Sequence, residues 1–79
     1  MQSFFERQGQ KLDTSLPSIR HIQDLIRRRE TVRVQLLNGD VVDGSLPWQD
    51  HQFIALQQPG DRPLMLIQRS AIAVIRALP

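Results

Sequence analysis

The chain has 79 residues, no cysteine and a formal net charge of +2, with nine arginines among its ten basic side chains. Such a length holds one small domain, which buries only about 60% of the surface its unfolded chain exposes, and without cysteine neither a disulfide nor a thiolate metal site can support it. Oligomerisation is the remaining route to a stable fold, and the preference for arginine over lysine suits bidentate contact with phosphate.

Residues 1–14, "MQSFFERQGQKLDT", are polar apart from Phe4 and Phe5 and lack any sustained period, so they read as a disordered tail. The next stretch, "SLPSIRHIQDLIRRR", reads as an amphipathic helix over about 16–29. Pro17 suits its first turn, and Ser15 or Ser18 is a candidate cap. Ile19, Ile22, Leu25 and Ile26 recur at three- and four-residue intervals and form one apolar stripe. Asp24 can pair with Arg28 one turn later, and the run Arg27-Arg28-Arg29 places cations at the negative end of the helix dipole.

At Thr31 the period changes to two. Val32, Val34 and Leu36 alternate with Thr31, Arg33 and Gln35, as in a half-buried strand. Asn38-Gly39 is a hairpin signal, since both residues accept positive φ. The second strand carries Gly44 and then Pro47, the marks of a strand that bends and leaves the sheet. "FIALQQ" (53–58), the turn-rich "PGDRP" (59–63), "LMLIQR" (64–69) and "AIAVIR" (71–76) complete five strands over about 31–77, leaving 78–79 as a terminal end. A mainly β fold follows: an N-terminal α-helix, then a strongly bent five-stranded antiparallel small barrel of SH3-like type. Its apolar edge strands invite pairing with other copies, and a head-to-tail contact of that kind can close as a ring.

No run is apolar enough to insert in a membrane, no secretory leader is evident, and a cytoplasmic location is expected. His21 and His51 lie far apart without ligand spacing, so neither a metal nor another cofactor is expected. No nucleophile–base pair or glycine-rich phosphate loop is present, which argues against an enzyme. Asp50 fits a turn residue that binds neighbouring backbone.

The helix, then "VRVQLLNGDVVDGSLPWQD", a strand opening on Phe53 and "IQRSAI" together resemble Hfq, the bacterial Sm-like (LSm) RNA-binding family. "LPSIRHIQDLI" and "WQD" are most similar to its cyanobacterial branch. The resemblance spans about Leu16 to Ala77 and implies a homohexameric ring with three RNA-contacting surfaces. On the helix-side pore, Phe53 stands where the family stacks a base, and Arg69 stands at the family's lysine. Gln52 or His51 takes the flanking glutamine's place. Gln68-Arg69-Ser70 replaces a Tyr-Lys-His triplet, which implies weakened uridine binding.

On the opposite face Asn38, Gly39 and Val42 match the family. Gln35 replaces the tyrosine on which adenine stacks, however, and Asp40 and Asp43 bring negative charge beside a phosphate path. The rim matches best: Arg27 and Arg29 stand where the family carries arginines, Ile26 replaces a third and Arg28 adds one, with Gln49 beside them. Copied around a hexamer, the arginines would form a girdle of about eighteen charges.

The resemblance implies an RNA chaperone that helps small regulatory RNAs act in post-transcriptional regulation, through weak, salt-dependent contacts and without covalent chemistry. The competing reading is a protein-docking hexameric scaffold. The cyanobacterial branch is linked to pilus-based motility, and a basic tail of a pilus motor could use Asp40 and Asp43.

Overall fold

A computed structural model describes residues 12–79. The expected tail lies outside the described residues as far as residue 11, Phe4 and Phe5 included. Residues 13–16 form a turn that leads into helix α1, Pro17–Arg28. Pro17 occupies the first turn as expected, but neither Ser15 nor Ser18 caps the helix. Leu16 holds the cap position, and the Ser15 backbone N–H donates instead to Asp13 Oδ1 at 3.0 Å. The apolar stripe turns inward: Ile19 and Leu25 are buried, and Ile22 and Ile26 pack against the core.

The helix stops by a left-handed residue that is not glycine. Arg29 has φ 56° and ψ 42°; its N–H donates to Ile26 O, and the Glu30 N–H donates to Leu25 O, both at 3.1 Å. This pair of bonds satisfies two of the last helical carbonyls, at a position where glycine is the usual choice.

Five antiparallel strands follow: β1 Thr31–Leu36, β2 Val41–Ser45, β3 Phe53–Leu56, β4 Met65–Gln68 and β5 Ile72–Ala77. β3 and β4 are shorter than the apolar runs suggest, and Arg69–Ala71 form a single 3-10 turn between β4 and β5. Of the Asn38-Gly39 pair only Gly39 takes a positive φ, of 95°. The Leu36 N–H donates to Asp40 O at 2.8 Å, and the Gly39 N–H to Leu36 O at 2.9 Å. The connection is therefore a three-residue loop that closes on a left-handed glycine. Asn38 keeps an ordinary backbone and uses its Oδ1 to accept the Asp40 N–H at 2.9 Å.

β1 lies between β2 and β5, and β3 pairs with β4. The two sheets join where Ser45 and Gln57 exchange backbone bonds of 3.0 and 2.8 Å. The path through the fold is thus β5-β1-β2-β3-β4, with the bend at Gly44. A Cβ on Gly44 would lie 2.4 Å from the Gln57 carbonyl oxygen and 2.9 Å from a Leu56 methyl. Only glycine lets the β3 backbone cross that closely, which explains the glycine in the second strand. Val32, Val34, Leu46, Ile54 and Leu56, each almost wholly shielded from solvent, form the centre of the core inside this bend, with Leu25 as the helix's contribution. Among the described residues the outer margins of β4 and β5 have no strand partner. Leu64 and Leu66 are exposed along the β4 margin.

Candidate nucleic-acid interface

Three groups of polar side chains sit on this frame. The first follows from the β3–β4 register, in which Phe53 lies opposite Gln68. Arg69 continues that line, and its N–H donates to Gln52 O at 2.8 Å. His51, Gln52, Phe53, Gln68, Arg69 and Ser70 thereby line one open cleft of about 280 Å³. Phe53 is half-buried at this cleft and is not a member of the core. The structure therefore brings together every residue expected at the helix-side pore. Both His51 and Gln52 line the cleft beside the ring.

Asp50 fixes the entry to this cleft. Its Oδ1 accepts the backbone N–H groups of Phe53 at 2.7 Å and Gln52 at 2.9 Å. The Phe53 bond and then the Gln52 bond hold its carboxyl below the usual carboxylate value. The carboxylate organises a turn, as its position in the sequence suggests.

Gln49, expected on the rim, spends its side chain on two other elements. Its Oε1 accepts from Arg69 Nη1 at 2.7 Å, while its Nε2 donates to Gln23 Oε1 at 3.0 Å and approaches Ile19 O at 3.4 Å. An amide offers a donor and an acceptor at once. Gln49 uses one for the helix and the other for the guanidinium, and so links α1 to the cleft.

The second group lies on the strand face turned away from the core. Period-two alternation directs Arg33 and Gln35 outward from β1. Arg33 Nε and Nη2 donate to the two carboxylate oxygens of Asp43, each at 2.9 Å. The hydrogen bond from Arg33 holds the Asp43 carboxyl below its ordinary value, and the same bond raises the arginine's pKa. Asp43 is thus paired and does not present the bare negative charge expected from the sequence. The Asp40 carboxylate accepts from Asn38 Nδ2 at 3.2 Å, and the Asp40 backbone N–H donates to Asn38 Oδ1. Arg76 lies opposite Arg33 on β5 and is exposed. Val42, expected on this face, is half-buried. It packs against the core, because it stands opposite the buried Val34, and Val41 is the exposed neighbour.

The third group is the end of α1. Asp24 accepts from Arg27 and from Arg28, the latter at 3.3 Å, so one carboxylate serves two guanidinium groups. Arg29 has no carboxylate partner among the described residues. Arg27 and Arg29 border a cleft of about 500 Å³ with Ile26, Leu46, Pro47 and Gln57. Gln57 was not expected here, and its distance in sequence from the arginines leaves no local signal. Among the described residues, no three histidine or acidic side chains gather as metal ligands would, and no helix is long and apolar enough to cross a membrane.

Residues 16–77 match a family model described as "Hfq related". The chain is similar to the crystal structure of an Hfq protein from Anabaena sp., with 35% identity, a TM-score of 0.70, and coverage of 80% of this chain and 98% of that one. It is also similar to a crystal structure of the pleiotropic translational regulator Hfq. There the identity is 19%, the TM-score 0.75, and coverage 85% of this chain and 98% of that one, a likeness of fold alone. No curated protein matches.

Proposed function

Because the chain belongs to the Hfq family, we propose that it acts as an RNA-associated ring protein, a post-transcriptional regulator that brings small RNAs together without covalent chemistry. The observation that carries this reading is the end of α1. Of three successive arginines there, Arg27 and Arg28 share one carboxylate, Arg29 has none among the described residues, and Arg27 and Arg29 border an open cleft. Such a cluster attracts a phosphate backbone through a strongly salt-dependent interaction. The ring is supported by the two unpartnered margins, β4 with its exposed Leu64 and Leu66, and β5 beside an apolar groove lined by Ile22, Leu25 and Ile75. Each margin suits the other margin of a second copy, which is the head-to-tail arrangement a closed ring needs.

The helix-side cleft is a weaker second site. Phe53 provides a stacking surface and Arg69 a cation, but Ser70 offers no ring to a nucleotide. Adenine-tract binding on the opposite face is weak, since Gln35 gives no stacking surface. The docking reading retains Asp40 alone as an unpaired acid, because Asp43 is held by Arg33. RNA is the better-supported ligand.

Electrophoretic binding of a structured small RNA at two salt concentrations tests the proposal. Arg27→Glu with Arg29→Glu is expected to weaken binding and to flatten the salt dependence by about 0.7 for each single-strand phosphate that is no longer neutralised. Unchanged affinity and slope would overturn it.

A further inference from the structure

The chain has two histidines, and each shares a cavity with Arg69. His21 lines with it the groove beside β5, among apolar side chains such as Ile22, Leu25 and Ile75. His51 lines with it the open cleft at Phe53, where Gln52, Gln68 and Ser70 keep the surroundings polar. Only the second setting suits an ion.

His51 sits inside a closed turn. The Asp50 N–H donates to Phe53 O at 2.9 Å, and Asp50 Oδ1 accepts from Gln52 and Phe53. From the β4 side, Arg69 is fixed by its backbone bond to Gln52 O and by Gln49 Oε1 at 2.7 Å. Among the described residues, Arg69 from that side and Asp50 on the histidine's own loop are the charged groups that face His51. Bonds from Phe53 and Gln52, then the charges of His51 and Arg69, hold the Asp50 carboxyl below its ordinary value. The carboxylate is therefore ionised throughout the interval, about pH 5 to 8, in which imidazole changes charge. With neutral His51, Arg69 and Asp50 cancel, and an approaching phosphate meets no net charge. Protonation of His51 leaves one net positive charge in the cleft.

We infer that His51 is the proton-sensitive half of an anion site completed by Arg69, so that the helix-side cleft takes phosphate more tightly as pH falls. The inference rests on the reading of this cleft as an RNA site and deepens it by naming what regulates that site.

The test is fluorescence anisotropy of the full chain with a uridine oligonucleotide that lacks terminal phosphate, at constant ionic strength, from about pH 8 to 5.5. Uridine itself does not titrate in this interval. Affinity should rise roughly three- to fivefold on acidification and level off at both ends. His51→Gln should keep the alkaline affinity at every pH, and His51→Arg the acid affinity at every pH. His21→Gln should leave the rise in place. A rise that survives His51→Gln or vanishes with His21→Gln overturns the inference, as does affinity that falls on acidification. Binding that is present but independent of pH leaves the cleft an RNA site and removes the inference alone. If the oligonucleotide binds at no pH while a structured RNA does, the inference falls together with that reading of the cleft.

Discussion

Gly44 and Gln57 approach so closely that a single added carbon on Gly44 would lie 2.4 Å from the Gln57 carbonyl oxygen. That oxygen accepts the Ser45 N–H, so it cannot retreat without breaking the backbone exchange that joins the two sheets. Gly44→Ala should therefore cost about 1–3 kcal/mol through overpacking. Gly60→Ala is the control. Its Cβ would meet nothing within 4 Å, and the cost is left-handed strain of about 1 kcal/mol at φ 86°. Thermal melts followed by circular dichroism compare the two, and equal losses would remove the close approach as the reason for Gly44.

Arg29 holds a conformation that arginine adopts reluctantly, at the end of a helix that glycine would terminate more comfortably. Arg29→Gly is expected to raise the thermal midpoint by relieving about 1 kcal/mol of strain, while RNA affinity falls and its salt slope flattens. Opposite movement of stability and affinity is the signature of a side chain kept for its charge. A lowered midpoint would show that the arginine serves the cap.

Arg69 and Gln49 should behave as one unit. Either Arg69→Ala or Gln49→Ala removes the 2.7 Å bond, so their effects on binding a uridine oligonucleotide should not add. A double-mutant cycle by fluorescence anisotropy is expected to give a coupling of about 0.5–3 kcal/mol. Strict additivity would mean that Gln49 does not position the guanidinium.

On the opposite face, Asp43→Asn releases Arg33 beside the exposed Arg76. Affinity for an adenine tract should rise several-fold at low salt, and the gain should vanish as salt screens it. Stability should change little, because the pair is solvent-exposed. An adenine tract that binds no better would show that charge does not limit this surface.

Asp50 predicts an acid limit. Its carboxyl titrates below the ordinary value in the folded chain, near which it titrates when unfolded. The stabilisation is therefore complete above the ordinary carboxylate range and is lost as pH falls below about 4 towards the folded value. Thermal midpoints taken down a pH series should fall less steeply for Asp50→Asn than for the parent chain. Parallel curves would exclude this carboxylate as a contributor.

The elements are legible in the sequence because two periods alternate cleanly. The isoleucines and leucine of α1 repeat at helical spacing, and Val32 and Val34 alternate with polar partners. The bend at Gly44 is legible too, although the contact that requires it, Gln57, is thirteen positions away and leaves no local trace. The cleft around Phe53 can be assembled because its residues lie at the ends of two neighbouring strands. Gln49 and Asp43 escape local reading for a shared reason: each bonds to a partner ten or more residues distant, and pairing across space is invisible to local pattern. Val42 is assigned to the outer face by family position alone, and its pairing opposite the buried Val34 packs it partly against the core.

The unpaired margins of β4 and β5 stand at opposite ends of one folded path, so a protomer damaged at one is intact at the other. A proline introduced into β5 alone would yield a subunit able to join a growing arc and unable to receive the next. Mixed with normal chains, such a terminator would poison assembly at substoichiometric dose, an outcome no symmetric two-fold contact could produce.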